Sequence, residues 1–155
     1  MQTRRTLLLS GASTVASTVI TALLSPRAMG AQRKVAPLKP GARIRAVNPG
    51  TWMDPDTDLQ RLRERCDQQQ WHLEVPKAVT RQWRYFSGTD RERVSDLTAA
   101  WNDPTIDAVL TLGGGWGAAR VLEAGFRFPR RAKWSLGFSD TSSLLLAQWA
   151  AGLPG

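Results

Sequence analysis

From residue 40 onward the apolar and polar positions alternate between two rhythms. Arg43-Ile44-Arg45-Ala46-Val47 has the two-residue period of a short strand, introduced by Pro40-Gly41 and ended by Asn48-Pro49-Gly50. Leu59, Leu62 and Cys66 then recur at helical spacing behind Asp56 and Thr57, either of which can cap a first helix. Trp71-His72-Leu73-Glu74-Val75 alternates as a second strand that Pro76 stops. Thr89-Asp90-Arg91-Glu92 has the spacing of a capping box, which predicts a helix to about Trp101. Asn102-Asp103-Pro104 breaks that helix, and Ile106 to Leu112 reads as a buried strand running into Gly113-Gly114-Gly115-Trp116-Gly117. A helix over 118–123, a strand at Trp134-Ser135-Leu136 and a helix through Leu144-Leu145-Leu146 complete the pattern. This β/α alternation predicts an α/β domain with a largely parallel sheet flanked by helices. Ligands of such sheets sit beyond the carboxyl ends of the strands, where both the glycine run and Ser139 fall.

Residues 1–31 follow neither rhythm. Arg4-Arg5 precedes a moderately apolar run through Leu24, and Ala28-Met29-Gly30-Ala31 supplies the small residues of a signal-peptidase site. Paired arginines and a core diluted by Ser10, Ser13, Thr14, Ser17 and Thr18 resemble a twin-arginine leader. The expectation is export to the periplasm, cleavage near Gly30 or Ala31, and membrane contact only during export; a general secretory signal or an uncleaved anchor is the alternative for the leader, and the cytoplasm the alternative location. Residues 32–39 read as a linker and 40–155 as one folded domain.

Composition changes this picture little. At 42% hydrophobic and 22% charged residues the chain is ordinary for a globular protein. The net charge of +8 is inflated by Arg4, Arg5 and Arg27 of the leader. Elsewhere arginines interleave with acids on predicted helices, as in Arg61-Leu62-Arg63-Glu64-Arg65, which predicts a solvated face and no nucleic-acid partner. Cys66 is the sole cysteine, so no intrachain disulfide can form, and no Cys/His cluster has zinc-ligand spacing. No metal or organic cofactor is expected.

The candidate chemistry lies at Gly137-Phe138-Ser139-Asp140-Thr141. A serine between a strand and a helix can project its oxygen from a sharp turn toward the amides of the helix start, which suits acyl transfer. Thr141 stands where the usual G-x-S-x-G elbow has its second glycine, and on these residues alone Ser139 serves equally as a helix cap. The glycine run has neither the G-x-G-x-x-G of a dinucleotide site nor the Gly-Lys-Ser/Thr of a P-loop. It is read as a source of a backbone amide donor, with a ligand-free tight turn as the alternative. Trp116 beside it can wall a substrate pocket. His72, the only histidine, falls in an early strand and is read as structural.

Taken in order, Pro40-Gly41, Ser87-Gly88 followed by Arg93, Asp96 and Leu97, Gly114-Gly115-Trp116-Gly117 with Arg120 and Leu122, Lys133, and Gly137 to Thr141 resemble the LD-carboxypeptidases, or muramoyltetrapeptide carboxypeptidases, and their microcin-immunity relatives. The resemblance covers nearly everything from Leu38 to Gly155. It implies the flavodoxin- or Rossmann-like N-terminal domain of that family, with Ser139 as nucleophile, the amides of Gly115 and Asp140 as oxyanion hole, and Gly114 and Trp116 against the substrate. It further implies a Ser-Glu-His triad that releases terminal D-alanine from cell-wall tetrapeptides, and a homodimer. The family's glutamate and histidine belong to a C-terminal domain that this sequence does not include, so the expected triad is incomplete here. Gly113, where many relatives have arginine, and the leader, unlike recycling members that work in the cytoplasm, are departures. The competing expectation is a noncatalytic exported module that binds muropeptides or a protein.

Overall fold

A computed structural model describes residues 34–153; the leader and its cleavage region lie outside the described residues. Four strands, β1 (Arg43–Val47), β2 (His72–Glu74), β3 (Ala108–Thr111) and β4 (Trp134–Leu136), form one sheet in the order β2-β1-β3-β4, and every pairing is parallel. The helices are α1 (Pro55–Gln68), α2 (Asp90–Asn102), α3 (Ala118–Glu123) and α4 (Ser142–Ala150), with single 3₁₀ turns at Lys77–Thr80 and Ser139–Thr141. This is the expected α/β architecture. Residues 34–39 form no regular element, though the Ala36 carbonyl accepts from the Trp134 indole at 2.8 Å.

Strand alternation explains how both faces are covered. Ile44, Ala108 and Leu110 point to one side with Cys66, joined by Leu62 and Trp71, so α1 packs there by Leu62 and Cys66 of the predicted stripe. Val47 and Val109 point to the other side, where Leu97, Ala100 and Trp101 of α2, Val121 of α3, Leu144 of α4 and Phe126 close the larger core. β3 is buried at all four positions because it lies between β1 and β4 with helices on both faces, which is why its sequence lacks the in-and-out alternation of a half-exposed strand. The α1 face is left open beside β4, where a groove of about 570 Å³ is lined by Leu38, Ile44, Leu62, Trp71, Leu110 and Trp134.

Helix starts follow local chemistry. α1 begins at Pro55, ahead of the Asp56 or Thr57 cap suggested by sequence, and proline at a first helical position gives up an amide that would be unpaired anyway. Thr89 caps α2 with the complete capping box: its hydroxyl accepts from the Glu92 amide at 3.3 Å, and its own amide donates to the Glu92 carboxylate at 2.8 Å. β2 is shorter than predicted. Its edge position is held by charge as much as by apolar contact, since Glu74 pairs with both Arg43 and Arg45 of β1, and Arg45 reaches Asp103 at 3.1 Å.

The C-terminal end of α2 is closed by Lys133, buried to 2% exposure, whose ammonium donates to the Ala100 carbonyl at 2.9 Å and the Asp103 carbonyl at 2.5 Å. Burial, with nearby Arg131 adding repulsion, pushes its pKa down to about 8. The unfolded chain holds this proton to roughly pH 10.4. Between those values the unfolded state binds more proton than the folded state, so the contribution of Lys133 to stability grows as pH rises through that window and is smallest below pH 8. Thermal melts of the protein and its Lys133→Met variant test this. The difference in Tm is expected to move in favour of the lysine protein between pH 7 and pH 10.

Candidate functional site

Three loops meet beyond the carboxyl ends of β1, β3 and β4. The β1 loop is organised by Asn48, which is buried: its side-chain amide donates to the Thr51 and Val79 carbonyls at 3.0 and 3.3 Å, while its Oδ1 accepts from the Gly50 amide at 3.1 Å. Ser87 locks the same turn from outside, its hydroxyl donating to the Asn48 carbonyl at 2.6 Å. Thr51 is thereby set against the glycine run, and both its amide (3.1 Å) and its hydroxyl (2.8 Å) donate to the Gly114 carbonyl. Because the peptide is planar and trans, a carbonyl fixed on Thr51 turns the Gly115 amide the opposite way. Glycine is required here. Gly115 has φ +79°, and a Cβ on it would stand 2.6 Å from Thr51 Cγ2.

The β4 loop is a tight elbow. Ser139 has φ +55°, in the left-handed region that serine rarely occupies, and is exposed. Behind it Thr141 is fully buried, donating from its hydroxyl to the Phe138 carbonyl at 2.7 Å and from its amide to the same oxygen at 3.2 Å. A Cβ on Gly137 would overlap the hydroxyls of Thr111 and Thr141. The elbow therefore keeps its first glycine for close packing, and Thr141, in place of the second, is part of the turn's own hydrogen bonding.

These loops bring Ser139, Asp140, Gly114 and Gly115 together. The position of a Cβ on Gly114 lies 3.6 Å from both Cβ and Oγ of Ser139. The Ser139 hydroxyl makes no hydrogen bond to any described residue, and neither the 3₁₀ turn nor α4 has a side-chain cap at its start. Asp140 follows in the first turn, where amides point off the helix end without intrahelical partners. Its carboxylate has a second task that the sequence reading missed: Oδ2 accepts from the Ala118 amide at 2.8 Å, bracing the elbow against the start of α3. Trp116 is 71% exposed at the rim. His72 is elsewhere: it opens β2 opposite Arg43 at the amino end of the sheet, away from the carboxyl-end loops, and it is exposed.

A correction concerns Arg93, which the interleaved-charge reading would place on a solvated face. It is fully buried, donating to the Pro49 carbonyl, to the Gly117 carbonyl at 2.8 Å and to Asp90, with its guanidinium 4.8 Å from the centre of the Phe86 ring. Burial lowers its pKa below the usual arginine value. Arg120 also holds Asp90, and those hydrogen bonds, more than the pairing with Arg93, keep that carboxyl below its ordinary range. The two terminal nitrogens of its planar fork reach two loop carbonyls and an acid inside the protein, leaving only Nε without a partner, whereas the alternation of charges along the sequence reports only the average fate of such residues.

Residues 44–155 match the model of the LD-carboxypeptidase N-terminal domain, and the chain belongs to that family. It is 35% identical over 121 residues to a Synechocystis protein named as a carboxypeptidase, covering 76% of this chain and 39% of that one. It is 40% identical over 80 residues to the murein tetrapeptide carboxypeptidase of Pseudomonas aeruginosa, covering 49% of this chain and 26% of that one. Among solved structures, muramoyltetrapeptide carboxypeptidase from Oxalobacter formigenes superposes with a TM-score of 0.53 at 25% identity, over 65% of this chain and 34% of that one. The microcin self-immunity protein MccF shares the fold, with a TM-score of 0.60 at 24% identity over 76% of this chain and 36% of that one, and has been solved with aspartyl sulfamoyl adenosine. The chain thus spans less than half the length of the relatives it matches.

Proposed function

We propose that this chain is the nucleophile-bearing part of a serine-type LD-carboxypeptidase that releases terminal D-alanine from cell-wall tetrapeptides. The observation that carries the reading is the Ser139 elbow: an unengaged, exposed hydroxyl on a left-handed serine, set beside a glycine loop whose Gly115 amide is turned away from Thr51. Oγ attacks the carbonyl of the bond before D-alanine, the proton passes to a base, and the amides of Gly115 and Asp140 receive the developing oxyanion. The base then returns the proton to the departing amine, and water repeats the cycle on the acyl-enzyme. The only histidine of the sequence, His72, lies at the other end of the sheet. The base is therefore assigned to a histidine, oriented by a glutamate, in the C-terminal part typical of the family.

The test joins this chain at Leu153 to the C-terminal half of the Pseudomonas aeruginosa enzyme and measures D-alanine released from a murein tetrapeptide. Release by the joined protein and none by the 155-residue chain is the expected result. Binding of the tetrapeptide with no release by the joined protein would favour the second reading, an exported muropeptide-binding module, which the remoteness of His72 from Ser139 supports for the chain by itself.

A further inference from the structure

The glycine run holds one peptide whose two polar groups are treated unequally. Thr51 gives both its amide, at 3.1 Å, and its hydroxyl, at 2.8 Å, to the Gly114 carbonyl, and no other described residue donates to that oxygen. The Gly115 amide, at the other end of the same peptide, donates to none of the described residues, and Gly115 is exposed. Room for the carbonyl comes from a side chain that Gly50 lacks, since a Cβ there would stand 2.6 Å from the oxygen. Side chains on the flanking residues ordinarily oppose rotation of a peptide. Here both flanking residues are glycine. A half turn of the planar Gly114-Gly115 unit changes only ψ of Gly114 and φ of Gly115, carrying the latter from +79° to a negative value that glycine adopts about as readily.

Building on the peptidase reading of Ser139, we infer that the Thr51 hydroxyl is a positioning group for the reaction, locking this peptide in the one orientation that serves the oxyanion. The two orientations differ in the sign of what they offer. With its carbonyl on Thr51, the loop turns an N–H toward the space beside Ser139, whose Oγ is 3.6 Å from the Cβ position of Gly114. After a half turn it presents a carbonyl oxygen instead, which repels the developing negative charge. The backbone amide of Thr51 occupies one lone pair of the Gly114 carbonyl and the hydroxyl occupies the second, so the lock is complete only with both. The residue that must turn is also crowded by two hydroxyls: a Cβ on Gly115 would lie 2.9 Å from Thr51 Oγ1 and 3.0 Å from the Tyr85 hydroxyl. Thr51 touches no reacting atom and acts through Gly114. A donor already aimed needs no rearrangement as charge develops, and a loose one forfeits that advantage.

Thr51→Val keeps the shape of threonine and removes the hydroxyl, whereas Thr51→Ser keeps the hydroxyl. Both are compared with Ser139→Ala in the joined protein, using the murein tetrapeptide and a boronic acid analogue of it that forms a tetrahedral adduct on an attacking serine. Thr51→Val is expected to lower kcat by about tenfold or more and to weaken the boronic acid by a similar factor, with KM changed less than about twofold. Thr51→Ser is expected to restore kcat to within about threefold of the parent. In a crystal structure of the 155-residue chain carrying Thr51→Val, Gly115 is expected at negative φ or in both orientations. A Gly115 that stays wholly left-handed in that structure overturns the lock. So does a Thr51→Val kcat within threefold of the parent while Ser139→Ala is inactive, an outcome that leaves the peptidase reading intact. Equal losses in the valine and serine variants, or kcat and tetrapeptide affinity falling together, overturn it as well by assigning the effect to packing. No D-alanine release by the parent joined protein sinks the peptidase reading and the lock with it.

Discussion

Replacing Ser139 with alanine in the chain joined to a family C-terminal half is expected to lower kcat for D-alanine release by about 10⁴–10⁶-fold, with little change in tetrapeptide affinity. The size follows from what the hydroxyl is asked to do. In a nucleophile-base-orienter set, removing the attacking oxygen costs nearly as much as removing the whole set, because the remaining groups have no bond to assist. Affinity should persist because the glycine loop is built without Ser139: Thr51 fixes Gly114, and Asp140 braces Ala118. Alanine at 139 still inherits the left-handed backbone, at a cost of order 1 kcal/mol that serine already bears, so folding should be unaffected. Steady-state kinetics of both proteins on the same tetrapeptide provide the check. A fall of tenfold or less would mean that another group attacks the carbonyl.

Arg93→Met is expected to lower the unfolding free energy by about 3–5 kcal/mol, read as a fall in the urea midpoint. Methionine fills much of the volume but offers no donors to the Pro49 and Gly117 carbonyls, and it leaves Asp90 to Arg120 alone. Buried acceptors without partners are costly, and these two lie in the β1 loop and at the start of α3, on either side of the glycine run. Arg93→Lys is expected to recover only part of the loss, since one ammonium cannot span both carbonyls and the acid as a guanidinium fork does. Full recovery by lysine would mean that the charge alone matters.

Much of the architecture was legible because its signals are local. Ala108 to Leu112 is apolar but for Thr111, as suits a central parallel strand, and Thr89 with Glu92 spells out a capping box that forms as written. The alternation of strands and helices was enough to anticipate parallel pairing. Where sequence and structure part, the deciding contacts are long-range. Glu74 serves an edge strand through two arginines about thirty residues away, so the extent of β2 could not be read from its own pattern. Arg93 sits among charges and is buried by carbonyls that come close only in the folded chain. The same holds within the site. Ser139 and the glycine loop were visible as motifs, but the supports at Asn48, Thr51 and the Asp140 carboxylate depend on three loops meeting, and a single Asn-Pro-Gly turn signal was the only local hint of them. Tyr85 has no motif at all, and only its approach to Gly115 singles it out.

The central claim is that Ser139 is the group that becomes covalently bound. Mass spectrometry after treatment of the joined protein with a fluorophosphonate tests it most directly. The account predicts a single adduct on the peptide containing Ser139, absent from Ser139→Ala and scarcely formed on the 155-residue chain alone, where His72 cannot serve as its base. An adduct on a different residue, or undiminished labelling of the Ser139→Ala protein, would contradict it.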